Sequence, residues 1–273
     1  MKILFVMPKV GAWATHGIHR SPNQLYAHWA AYVRDTRGYS DVAVIDGKAD
    51  QIPMDQLIQR VKDMNPDVVV MGEQLHGYGG YGVLRHFKDA AIGIKKVLPK
   101  TKIVLGGLWY SAMPVPTLEE NPEIDFVVMG EEESFGDLIE ALDKNKPLKD
   151  VGGVTSRIDG KIVMGPHKPL MQDLDKLPLP AYDLFPMDKY VGHTYWKPFV
   201  DMVTSRGCPS ACTFCYEWDQ FDPRSPSDFL KWRAKSPERV MEELNLLHKK
   251  YGVKVVVIQD DNFNVDPDRV KKF

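Results

Sequence analysis

The chain has three cysteines, and all of them fall in the run Cys208-Pro-Ser-Ala-Cys212-Thr-Phe-Cys215. Three thiolates at this spacing can hold three irons of a [4Fe–4S] cluster and leave the fourth iron open to another ligand. A disulfide framework would instead call for an even count in a small secreted chain. A structural zinc site calls for four ligands, usually as two paired knuckles. No second pair exists, His193 lies outside the loop, and His248 sits in a helical pattern. The spacing therefore favours an iron–sulfur site over zinc.

The run follows an apolar stretch at 199–203 and the pair Arg206-Gly207. With Phe214 just before the last cysteine, this pattern resembles the radical S-adenosylmethionine (SAM) superfamily. The motif covers 8 of 273 residues. The resemblance implies that Cys208, Cys212 and Cys215 ligate the cluster, that SAM binds the open iron, and that the reduced cluster cleaves SAM to a 5′-deoxyadenosyl radical. It also implies that Gly207 permits a sharp loop and that Arg206 balances cluster charge. A surface salt bridge accounts for Arg206 equally well. Asp260, Asp261 and Asn262 close the next strand pattern, where (β/α) barrels collect catalytic residues. They are candidates to contact SAM or substrate, or else to cap the following helix.

Before the cysteines, short β-branched runs alternate with amphipathic stretches, the pattern of a parallel sheet covered by helices. Strands are expected at 2–7, 41–46, 67–72, 102–106 and 125–130, and helices at 24–34, 54–64 and 81–98. In the second helix Leu57, Ile58, Val61 and Met64 share a face. The fold class expected is α/β: a Rossmann-like, doubly wound parallel sheet over 1–145, a proline-interrupted connector over 146–198, and an incomplete radical SAM (β/α) barrel over 199–273. In the connector, 154–163 reads as a hairpin turning at Asp159-Gly160, and Leu177-Pro-Leu-Pro-Ala-Tyr182 reads as extended. In the last part Ser236-Pro237-Glu238 opens a helix with Val240, Leu244 and Leu247 inward, Gly252 ends it, and 254–258 is the next strand. One βαβ unit cannot close a barrel, so the chain is expected to be a truncated piece of a longer protein.

A doubly wound domain ahead of such a cysteine loop resembles the cobalamin-dependent radical SAM enzymes. Three places carry that resemblance: Glu73-Gln74-Leu75 after the third strand, Gly106-Gly107 after the fourth, and Gly130-Glu131 after the fifth. In open α/β sheets ligands bind beyond the carboxyl ends of the strands, and paired glycines let a large flat ligand approach the backbone. Each has a plainer account: Gly-Gly as a turn, and Glu131 to Glu133 as acids in a helix's first turn. The run Gly77-Tyr-Gly-Gly-Tyr-Gly82 is no GxGxxG loop after a first strand. The corrinoid run Asp-x-His-x-x-Gly is missing, so His16 or His19 is the candidate axial ligand to cobalt, and Trp13 and Trp109 are candidates to pack on the corrin face.

The resemblance implies a [4Fe–4S] cluster, SAM and cobalamin as cofactors, and methyl transfer from methylcobalamin to an unactivated carbon. The alternatives are a cyclase of the anaerobic magnesium-protoporphyrin monomethyl ester type, with which 217–221 is aromatic-rich in common, or a non-catalytic corrinoid- or cluster-binding module. A methylthiotransferase would need cysteines ahead of Cys208. The substrate, small molecule or peptide, is not encoded legibly. A flavodoxin or ferredoxin is the expected reductant. Net charge of −2 gives nucleic acid no electrostatic support, and no apolar run approaches the ~18 residues of a membrane span. The unpaired cysteines and the lack of a charged-apolar-small opening lead us to expect a reducing cytoplasm.

Overall fold

The computed structural model describes residues 1–9, 21–72, 80–192, 197–210, 212–215, 224–225 and 231–273, with side chains of 80–83 excluded. Five parallel strands follow one another: β1 (Ile3–Met7), β2 (Val42–Asp46), β3 (Val68–Gly72), β4 (Lys102–Gly106) and β5 (Phe126–Val128). Helices α1 (Gln24–Ala31), α2 (Met54–Met64) and α3 (Gly80–Val97) join them, then the short α4 (Leu108–Ala112) and α5 (Pro114–Glu120), and α6 (Glu132–Asp143) leaves β5. The hairpin β6 (Val154–Ile158) and β7 (Lys161–Met164) adds antiparallel to β5, giving the order β2-β1-β3-β4-β5-β6-β7. The sheet thus has two strands beyond the five expected. The hairpin turns at Asp159 and Gly160, both at positive φ (48° and 77°), as a primed two-residue turn requires.

The chain moves from β1 out to β2 and then back across to β3, so the switch point lies between β1 and β3. Right-handed crossovers in opposite directions put their helices on opposite faces. Accordingly α2 packs on α3, and α1 packs on α6. β1 and β3 are buried along their whole length, as strands covered on both faces must be. At the switch point the Tyr26 hydroxyl donates to the Val6 carbonyl and accepts from the Gly72 amide, both at 2.9 Å. One side chain from α1 therefore stitches the carboxyl ends of β1 and β3 together.

The second unit is smaller. β8 (Phe199–Met202) pairs in parallel with β11 (Val255–Ile258), and α7 (Pro237–Tyr251) crosses between them. Ser236 caps α7 by accepting the Arg239 amide, Pro237 takes the first turn, and Gly252 closes it at φ 65°. These signals stand where the sequence predicts them. The inward face differs in one place: Val240, Glu243 and Leu247 are buried, while Leu244 is only half-buried. α8 (Pro267–Val270) follows, capped by Asp266.

Between the units the connector lies along α1. The Ala181 amide donates to the Ala27 carbonyl at 2.9 Å, and the Tyr190 hydroxyl donates to Asp46 at 2.7 Å. Tyr182, Phe185 and Tyr190 join the same apolar core as the large sheet, together with Val200, Leu247 and Val253 of the second unit. The two units thus share one core across the connector.

Candidate functional site

The cysteine loop leaves β8 and is pinched at its base by a short antiparallel pair, β9 (Ser205–Arg206) against β10 (Arg233–Ala234). Gly207 then takes φ 78°, a left-handed conformation that disfavours any side chain, and delivers Cys208. The Cys215 amide donates to the Cys212 carbonyl at 3.0 Å, a tight turn between the last two thiols. Cys208 and Cys215 both pack on Leu170 of the connector, Cys212 is exposed, and none is in a disulfide. Phe214 stands 89% exposed between them. Among the described residues no three His, Cys, Asp or Glu side chains converge on one ion position. A cluster gives every thiolate its own iron. The donor set, three thiols on one loop with two against the same leucine, fits the cluster.

Asp260 lies two residues beyond β11 and does not cap a helix, since α8 is capped by Asp266. Its carboxylate accepts from the Thr204 amide (2.6 Å), the Thr204 hydroxyl (2.5 Å) and the Ser205 hydroxyl (2.7 Å). It therefore ties the end of β11 to the strand entering the cysteine loop. Asn262 points its amide at the Cys208 sulfur, 3.8 Å away. Asp261 lies between them, half-buried.

Arg206 is no surface residue. Buried, it donates to Glu131 at 3.0 Å and to Glu132 at 2.8 and 2.6 Å, both at the start of α6. Arg233, opposite it on the β9–β10 ladder, donates to the other Glu131 oxygen at 2.8 Å and to the Met171 carbonyl. Burial alone would lower the Arg206 pKa, but the charges of Glu132 and Glu131 outweigh it and raise it further. Burial likewise pushes the Glu132 carboxyl upward, and the charge and hydrogen bonds of Arg206 outweigh that and hold it below the ordinary carboxylate range.

A second buried chain runs alongside. Lys235 donates to Glu243 of α7 at 2.7 Å, and the Tyr182 hydroxyl donates to the other Glu243 oxygen at 2.7 Å. His28 of α1 lies 3.9 Å from Glu132, yet burial, reinforced by Lys235, Arg206 and Arg239, lowers its pKa well below 6.5. It is neutral at physiological pH, and the contact is not an ion pair. Arg233, Lys235, Glu243 and His28 escape the sequence analysis, which reads Glu132 only as an acid in the first turn of a helix, where it does stand. The one available signal is Glu243, an acid at i+3 from Val240 on an otherwise apolar helical face.

The first unit's candidate residues have their own structural accounts. A Cβ on Gly106 would stand 2.3 Å from the Trp29 ring, so this glycine makes room for an indole of the chain itself. Gly107 starts α4 at φ 109°. A Cβ on Gly130 would stand 2.2 Å from the Ser134 hydroxyl, and both Glu131 oxygens are taken by arginines. Trp109 is half-buried against the main core. Glu73, Gln74 and Leu75, with Trp13, His16 and His19, lie outside the described residues. They belong to the segments that follow β3 and β1, the two strands flanking the switch point.

Residues 25–139 match the family model for a B12 binding domain, and residues 202–273 match that of the Radical SAM superfamily. The chain carries the two modules of the cobalamin-dependent radical SAM superfamily. Over 272 residues it is 35% identical to an uncharacterised methyltransferase of Pyrococcus horikoshii, covering 98% of this chain and 55% of that protein. Over 266 residues it is 28% identical to the anaerobic magnesium-protoporphyrin IX monomethyl ester cyclase of Rubrivivax gelatinosus, covering 96% of this chain and 45% of the cyclase. The chain thus spans about half the length of these curated relatives. The solved cobalamin-dependent SAM radical enzyme OxsB superposes with a TM-score of 0.74 over 99% of this chain and 35% of its own, at 20% identity. That likeness concerns the fold, and it extends through both modules. Among the described residues no helix is long and apolar enough to cross a membrane.

Proposed function

We propose that the protein is a cobalamin-dependent radical SAM methyltransferase, acting on an unactivated carbon of a small molecule or peptide. One observation carries the reading: a three-thiol loop at the exit of β8 and a B12-type sheet share one chain and one core. In this reading Cys208, Cys212 and Cys215 hold a [4Fe–4S] cluster. When bound, that cluster supplies the electron that opens SAM to a carbon radical, and cobalamin supplies the methyl group. Asn262 orients the Cys208 sulfur, Asp260 fixes the loop's entry, and Asp261 would contact SAM or the substrate. Glu73, Gln74 and Leu75, with the backbone of Gly106, Gly107, Gly130 and Glu131, would hold cobalamin at the carboxyl edge of the large sheet. His16 or His19 is the candidate for the lower cobalt face.

The division proposed is 1–145 for the corrinoid module, 146–198 for the connector and 199–273 for the start of the radical module, and the two family matches fall inside the first and third. A flavodoxin or ferredoxin supplies electrons, and a reducing cytoplasm suits three thiols outside any disulfide. Cyclisation is the second reading, favoured by the identity with the Rubrivivax cyclase.

The test is an anaerobic EPR spectrum of the reconstituted protein given hydroxocobalamin and a mild reductant. A protein-bound, base-off cob(II)alamin signal is expected, and nitrogen splitting in it that is lost in His16→Ala or His19→Ala identifies the axial ligand. Cobalamin that stays free while the cluster assembles would sink the methyltransferase reading and leave a cluster-binding module.

A further inference from the structure

The base of the cysteine loop is a ladder of two residue pairs, with Arg206 directly opposite Arg233. Like charges opposed on a ladder destabilise it, and a long loop costs entropy to pin at its base. These two strands therefore do not hold themselves together. At the end of the ladder away from the cysteines, Arg269 of α8 donates to the Thr204 and Lys235 carbonyls at 3.0 and 2.9 Å. At the end next to the cysteines the holding group is Glu131, which bridges the two guanidiniums with one carboxylate oxygen each. Glu131 belongs to the other unit. It is the N-cap of α6, last of the three residues between β5 and that helix, at the edge of the large sheet where a ligand is expected.

We propose that Glu131, backed by Glu132, is a positioning residue that clasps the cysteine loop to the ligand-bearing edge of the B12-binding module. Two cations on one unit and two carboxylates on the other neutralise each other, all four buried. Buried charges tolerate little displacement, because each loses compensation when its partner moves. The spacing between the cysteine loop and the turn after β5 is consequently set by the chain before any cofactor binds. The clasp concerns the thiols themselves, so it stands or falls independently of the reaction proposed above.

The experiment is alkylation of the intact protein, purified without its cluster under anaerobic conditions, by N-ethylmaleimide. Each cysteine is followed separately by peptide mass spectrometry. Cys212, already exposed, is the internal reference. In Glu131→Gln, Cys208 and Cys215 are expected to react about tenfold faster while Cys212 keeps its rate, because losing a charge-assisted bridge raises local opening. Glu131→Asp falls between this variant and the parent, and Glu133→Gln matches the parent. If Glu131→Gln does not fold, Arg233→Lys, which keeps the charge but loses the forked geometry, gives the same selective acceleration. Unchanged rates at Cys208 and Cys215, or equal acceleration of all three thiols, would overturn the clasp.

Discussion

Gly106 shows how one residue type serves two different arguments. Its position at a strand end on the ligand edge is the position a corrinoid-binding glycine would have, and the sequence alone cannot say what fills the missing side chain's space. Much of that space belongs to Trp29, which also stacks on Phe135 with ring centroids 4.6 Å apart. Trp29 is almost wholly buried, so it has nowhere to retreat. Gly106→Ala is therefore expected to cost about 1–3 kcal/mol, the usual range for overpacking a filled core. Urea unfolding of the cofactor-free protein reads it directly. A midpoint equal to the parent's would mean that the Trp29 ring moves aside, and would return Gly106 to a role in ligand approach alone.

At the scale of elements, what was legible followed local chemistry. α7 announces itself by Ser236, Pro237 and Gly252 because caps and stops act on their own backbone neighbours. The hairpin announces itself by Asp159-Gly160 because few other residues accept two positive φ values in succession. Its docking onto β5 was not legible, since strand partners are chosen by long-range packing. Nor was the burial of Glu243, whose acceptance depends on Lys235 and on Tyr182 of the connector. Asp260 was legible as a functional position but not as a tie, since its partners Thr204 and Ser205 lie more than fifty residues earlier. Because hydrogen bonds to an ionised group contribute about 1.5–3 kcal/mol each, Asp260→Asn should lower stability by about 2 kcal/mol or more. It should also reduce the iron retained per chain after reconstitution. Full iron loading at unchanged stability would show that the tie between β11 and the loop entry is dispensable.

Across the whole molecule, buried charges of both signs gather at the seam between the two modules. Arg206, Arg233 and Lys235 face Glu131, Glu132 and Glu243, with His28 among them as a neutral member. A proton on His28 would add a further buried positive charge close to Lys235 and Arg206. Burial, with Lys235, Arg206 and Arg239 nearby, accordingly keeps its folded-state pKa below the unfolded value near 6.5. As pH falls below 6.5 the unfolded chain binds this proton first, so stability drops with falling pH, by at most about 1.4 kcal/mol per unit from this one group. Glu132 adds nothing in that range, because its pKa is shifted down from 4.5 and its contribution is lost only in stronger acid. Urea midpoints at pH 7.5 and 5.5 should therefore differ more in the parent than in His28→Gln, whose amide fills the site without titrating. Equal pH sensitivity in the two proteins would mean that the seam admits water and a proton at His28, and that the modules are held by their shared apolar core rather than by a dry, charge-matched interface.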